Sequence, residues 1–212
     1  MTTRFPTRRA ALAAALVASS SLLAGCGALL IGGAAVGTAM VLNDRRSTGA
    51  QVDDQTIESK AADLARQMFG DNARVSATSF NRTVLLTGEV PTQDARKAIE
   101  QQVARLENVR ATVNELGVMP VVALSVRSND TVLTSKVKAA FVDAKDLDST
   151  AVKVVTTRGV VYLMGRVSER EAKRATDLAR NVGGVQKVVR VLEILSEDEL
   201  ARLRSAGASG GK

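Results

Sequence analysis

From residue 54 onward, apolar positions fall in two rhythms, and the order of rhythms occurs twice. Ile57, Ala61, Leu64 and Met68 recur at helical spacing over residues 54–69, as one face of a helix requires. Leu133, Val137, Ala140 and Phe141 repeat the pattern after Asp130, a residue suited to N-capping. Short β-branched runs follow at Arg74–Ser79 and Val152–Thr156. Turn residues Asn81-Arg82 and Arg158-Gly159 then lead into Val84–Thr87 and Val160–Met164. Two such runs across a tight turn predict a hairpin, with Gly88 and Gly165 ending its second strand. Second helices are expected over Pro91–Leu106 and Ser168–Val182, the latter opened by a Ser168/Glu171 capping box. Gly183-Gly184 reads as its C-cap. A last strand is expected near Arg110–Leu116 and Lys187–Leu195.

The duplication is also visible residue by residue. Val84-Leu85-Leu86-Thr87-Gly88-Glu89-Val90 aligns with Val161-Tyr162-Leu163-Met164-Gly165-Arg166-Val167 at an offset of 77. Asp54, Ser59 and Lys60 match Asp130, Ser135 and Lys136 at 76, as do Val109 and Val113 with Val185 and Val189. Two copies make a tandem pair and not a solenoid. Each copy is α-β-β-α-β, which predicts an α+β fold: a small three-stranded mixed sheet with two helices packed on one face. The expected boundaries are 52–118 for the first module, 119–128 for a linker, 129–195 for the second module and 196–212 for a C-terminal tail.

The N-terminus follows a different pattern. Arg4, Arg8 and Arg9 precede the unbroken apolar run Ala10–Val17, with small residues beyond. This is the form of a secretory signal peptide, and a run so short falls below the roughly 20 apolar residues of a spanning helix. An uncleaved signal anchor is the alternative, and Thr7-Arg8-Arg9 leaves twin-arginine export open beside the general route. Leu22-Leu23-Ala24-Gly25-Cys26 resembles the lipobox of bacterial lipoproteins. That resemblance implies a signal peptide over 1–25, acylation of Cys26 as the new N-terminus and, with Gly27 following, an outer-membrane anchor facing the periplasm. Residues 26–51 are then an acylated, flexible tether, and multiple acyl chains anchor where one chain is marginal.

Composition narrows the chemistry. The chain has no histidine and one cysteine. These counts remove Ser/His and Cys/His nucleophile pairs and the usual zinc sites, so no catalytic residue, no metal site and no cofactor is expected. Aromatics make up 2% and Trp is absent, which leaves no stacking platform for single-stranded nucleic acid. The formal charge of +7 falls to +4 once the three arginines of residues 1–25 are removed.

The Val-x-Leu-x-Gly-x-Val signature, the Ala-rich helix after it and the Asn-Val or Gly-Val before a strand resemble the BON domain. Two copies behind a lipobox, over about residues 22–195, are similar to the dual-BON outer-membrane lipoproteins. The resemblance implies a periplasmic, lipid-binding protein that supports outer-membrane integrity and envelope stress resistance, its second domain touching anionic phospholipid such as phosphatidylglycerol.

The two copies differ in charge. Residues 52–118 carry 8 basic and 10 acidic side chains, and residues 129–195 carry 12 and 8. With Leu133 and Val137 turned inward, Val132, Lys136 and Ala139 form a helix flank that in the first copy is Thr56, Lys60 and Asp63. An apolar flank beside lysines suits an interfacial helix. The candidate phospholipid-binding residues are therefore Val132, Leu133, Lys136, Lys138 and Ala139. Two alternatives stay open: the first domain covers Val132 and Ala139, or the modules form an adaptor for other envelope proteins, with lipidation serving only for location.

Overall fold

The computed structural model describes residues 44–209. The signal segment, Cys26 and the Gly/Ala-rich stretch to residue 42 lie outside the described residues. The first module runs α1 (Thr48–Phe69), a short 3-10 turn, β1 (Arg74–Phe80), β2 (Thr83–Val90), α2 (Gln93–Ala104), β3 (Ala111–Asn114) and β4 (Gly117–Val118). The second runs α3 (Leu124–Asp143), a 3-10 turn, β5 (Val152–Thr157), β6 (Val160–Val167), α4 (Glu169–Arg180) and β7 (Lys187–Ile194), followed by α5 (Glu197–Ser209). In each sheet the central strand pairs antiparallel with its hairpin partner and parallel with the last strand. The last strand of the first module is interrupted at Glu115–Leu116, so β3 and β4 pair with β2 in succession. Two tandem α-β-β-α-β units with mixed sheets are present, as expected.

Three details of the expectation need correction. Asp130 caps no helix: α3 starts six residues upstream of it with Ala123 at the N-cap position, and α1 likewise starts six residues before the matching Asp54, with Ser47 as its N-cap. Both carboxylates are buried and instead hold the tip of their own hairpin. Asp130 accepts from the amides of Arg158 (2.8 Å) and Gly159 (2.8 Å). Asp54 accepts from those of Asn81 (2.8 Å) and Arg82 (2.7 Å), and from the Ser79 hydroxyl at 2.6 Å. All four tip residues have positive φ, the geometry of a two-residue hairpin turn with right-handed strand twist. Three of the four are not glycine, so the carboxylate offsets a conformation that side chains disfavour.

The second correction concerns Gly88 and Gly165, which lie inside β2 and β6 and do not end them. A Cβ at Gly88 would sit 1.9 Å from the Arg74 carbonyl oxygen, and one at Gly165 2.3 Å from that of Ala151. Close approach of the neighbouring strand is what the glycine permits. The third concerns Gly183-Gly184. The C-cap of α4 is Asn181, and the two glycines lie beyond it.

Each module has a core between its helices and its sheet. Ile57, Ala61, Val84, Leu86, Ile99 and Val103 fill the first; Val137, Phe141, Val161, Leu163, Ala172 and Ala175 fill the second. The opposite faces of the two sheets are buried as well, because they meet each other. Phe80 and Leu85 of the first module join Tyr162 and Met164 of the second, flanked by Val113, Val155, Val160, Val189 and Val191. The layers are thus helices, sheet, sheet, helices.

The segment before α1 ties the modules together. Arg45 is buried and donates to both carboxylate oxygens of Glu171 (2.7 and 2.8 Å) and to the Arg166 carbonyl. Arg166 returns a bond to the Arg45 carbonyl at 2.7 Å. The next residue turns to the first module: Arg46 reaches Asp54 at 2.8 Å and lies over the Phe80 ring. The contact with Glu171 raises the Arg45 guanidinium above its ordinary value. In α5, Leu200 is 1% exposed, so this stretch of the C-terminal segment is docked and does not fray.

Candidate functional site

An apolar groove lies on the second module, between the first half of α3 and the turn after α4. It encloses about 560 Å³ and is lined by Val122, Val126, Val132, Leu133, Gly183 and Gly184, with Asn129, Lys136, Arg158, Gly159, Gln186 and the turn-holding Asp130 at its rim. Leu133 is buried as its floor, and Val132 is 52% exposed on its wall. Lys136, one turn on from Val132, is exposed and makes no ion pair with a described residue.

Of the five candidate residues, the structure brings Val132, Leu133 and Lys136 together at this groove. Lys138 and Ala139 are exposed but do not line it. Two residues of helix rotate a side chain about 200°, so Lys138 leaves the flank that carries Lys136. Neither Val132 nor Ala139 is covered by the first module.

Sequence reasoning missed the glycines. A Cβ at Gly184 would meet the Leu133 side chain at 2.9 Å, and Gly184 has a φ of 101°. At offset 76 the first module has Glu107-Asn108 in place of Gly183-Gly184, and Asn108 there donates to Asp53 at 3.0 Å. The signal was available in the comparison of copies: side chains occupy the first module's turn where the second has none. Val121 of the linker and Leu124 at the start of α3 are also exposed apolar side chains, the latter 67% exposed.

Chemically, the groove offers an apolar wall and a cationic rim. It contains no Ser, Cys or Tyr beside a base. Among the described residues no cluster of three or more His, Cys, Asp or Glu could hold a metal, and no helix is long and apolar enough to cross a membrane.

Comparison with known proteins agrees with the duplication. The BON domain profile matches residues 52–120 and 129–196. The chain is 38% identical over 185 residues to the outer membrane lipoprotein DolP of Haemophilus influenzae, covering 86% of this chain and 95% of that protein. It is 34% identical over 151 residues to the 21 kDa hemolysin of Actinobacillus pleuropneumoniae, covering 70% and 78% respectively. To the osmotically-inducible protein Y of Escherichia coli it is 32% identical over 146 residues, covering 66% and 72%.

Proposed function

Because this chain belongs to the BON-domain family, as a tandem of two such modules behind a lipobox-like sequence, we propose that it is a non-enzymatic outer-membrane lipoprotein whose second module binds anionic phospholipid. Cys26 carries the acyl anchor, and the folded part stands on the periplasmic face. There it supports envelope integrity under stress. The observation that carries the reading is the groove of the second module, where an apolar wall at Val132 stands one helical turn from an unpaired Lys136.

Magnitudes divide the labour between anchor and groove. A lysine near anionic lipid contributes about 1 kcal/mol, and burying the rest of a half-exposed valine adds about 1 kcal/mol. Such a groove alone is a weak membrane binder. Tethered by its acyl chains, it meets the surface at high effective concentration, so the anchor holds the protein and the groove reads the lipid.

Vesicle co-sedimentation of residues 44–212, without acyl chains, tests this. Binding to phosphatidylglycerol-containing vesicles and not to phosphatidylcholine vesicles is expected. Lys136→Glu and Val132→Asp should weaken it, while Lys60→Glu in the first module should leave it intact. Equal recovery on both vesicle types, or none on either, would favour the adaptor reading.

A further inference from the structure

The two inner sheet faces meet by a reciprocal arrangement in which each hairpin tip reaches the far end of the other module's sheet. The tip of the second module extends Arg158, whose guanidinium donates to the Glu89 carboxylate (2.8 Å) and to the Gly88 (2.7 Å) and Glu115 (3.3 Å) carbonyls. The tip of the first module extends Asn81, which donates to Glu193 at 2.6 Å, a carboxylate that Arg166 also holds at 3.3 Å. These residues are matched by the duplication. Asn81 corresponds to Arg158 and Glu89 to Arg166 at offset 77, and Gly117 corresponds to Glu193 at 76. The strand registers agree, with Glu89 opposite Gly117 and Arg166 opposite Glu193.

At these three matched positions the chemistry is exchanged. The first module presents a carboxylate and an open place, since a Cβ at Gly117 would already stand 3.2 Å from the Arg158 guanidinium carbon. The second presents an arginine whose neighbour Glu193 fills that place. We infer that the inner faces form a pairing surface that accepts only the unlike module, selected by Glu89 and Gly117 for Arg158 and by the Arg166–Glu193 pair for Asn81.

The like pairings fail for physical reasons. Two second modules would bring Arg158 to the Arg166–Glu193 pair, two guanidiniums competing for one carboxylate, with the glutamate side chain standing where the Arg158 guanidinium needs room. Two first modules would set Asn81 against Glu89, which is 0% exposed here, leaving that buried carboxylate only the longer contact with Arg74 of its own module at 3.7 Å in place of Arg158 at 2.8 Å. Removing one partner of a buried pair is strongly unfavourable, and a repulsive element against the wrong partner is how interfaces gain specificity. The faces are apolar and self-similar by descent, so without this exchange anchored copies crowded on one membrane could pair through them.

The test uses the full chain in detergent, with a protease site inserted between Pro120 and Val121 in the exposed linker. After cleavage the halves should remain together as a 1:1 complex on gel filtration. Arg158→Asn should weaken their association about tenfold or more, in the range of close interfacial charge pairs. Adding Glu89→Arg and Gly117→Glu to Arg158→Asn rebuilds at this end the arrangement seen at Asn81, and should restore most of the association. Glu89→Arg alone should separate the halves. Wild-type halves that re-sort into like pairs, or a triple variant no tighter than Arg158→Asn, would overturn the inference.

Discussion

Asp54 and Asp130 show how one carboxylate can hold an element together. Each takes two backbone amides at a hairpin tip whose positive φ values are otherwise costly. Replacing Asp130 with Ala leaves the amides of Arg158 and Gly159 without an acceptor, at a cost of about 1–3 kcal/mol. Urea unfolding of residues 44–212 should show this, and Asp54→Ala should cost more because Ser79 and Arg46 lose a partner too. Tyr162 supplies a second probe, since it is the single tyrosine and Trp is absent. Burial between the sheets, with Glu115 adding to it and Arg158 opposing, pushes the phenol up to about 12. The neutral form is the one the fold favours. The stabilisation is therefore complete below the unfolded value near 10 and is lost as pH rises from there through about 12. Absorbance at the phenolate band should titrate late in the native protein, and near the ordinary value once the chain is unfolded in urea.

At the scale of elements, the helices and hairpins were legible because their apolar periods and turn residues are local. The hairpin-holding role of Asp130 was not, since an aspartate before an apolar run also fits an N-cap. Gly183-Gly184 had a plausible local role as a helix end, and only the closeness of Gly184 to Leu133 in space showed the turn to be groove wall. The inner sheet faces did leave a trace: Val160–Met164 is apolar at every position and not alternating, as a strand buried on both sides must be. Which surface covered the second face could not be read from a single strand. Arg45 illustrates the same limit, because nothing local pairs it with Glu171, 126 residues away. Breaking that buried pair by Arg45→Ala should destabilise by about 3 kcal/mol, readable as a lower midpoint in urea. On the groove, Lys136→Glu should lose more vesicle affinity at low salt, where exposed charges are least screened. The loss from Val132→Asp should depend less on salt.

For the molecule as a whole, the shared layer of Phe80, Leu85, Tyr162 and Met164 couples two modules that each have a complete core. Residues 125–196 alone contain one such core and should fold, but with an uncovered apolar sheet face. Low stability and association with concentration are expected, measured by amide dispersion and sedimentation; a chain that stays disordered alone would mean that the second core depends on the first. The anchor is a separate matter. Cys26→Ser should release a folded protein from the membrane fraction, and retention without acylation would remove the lipidation assignment. The central claim is that anionic phospholipid is read at the groove of the second module. Chemical-shift perturbation of residues 44–212 with short-chain phosphatidylglycerol tests it most directly. The account predicts shifts concentrated at Val126, Asn129, Val132, Leu133, Lys136, Gly183 and Gly184; shifts centred on α1, or equal on both modules, would contradict it.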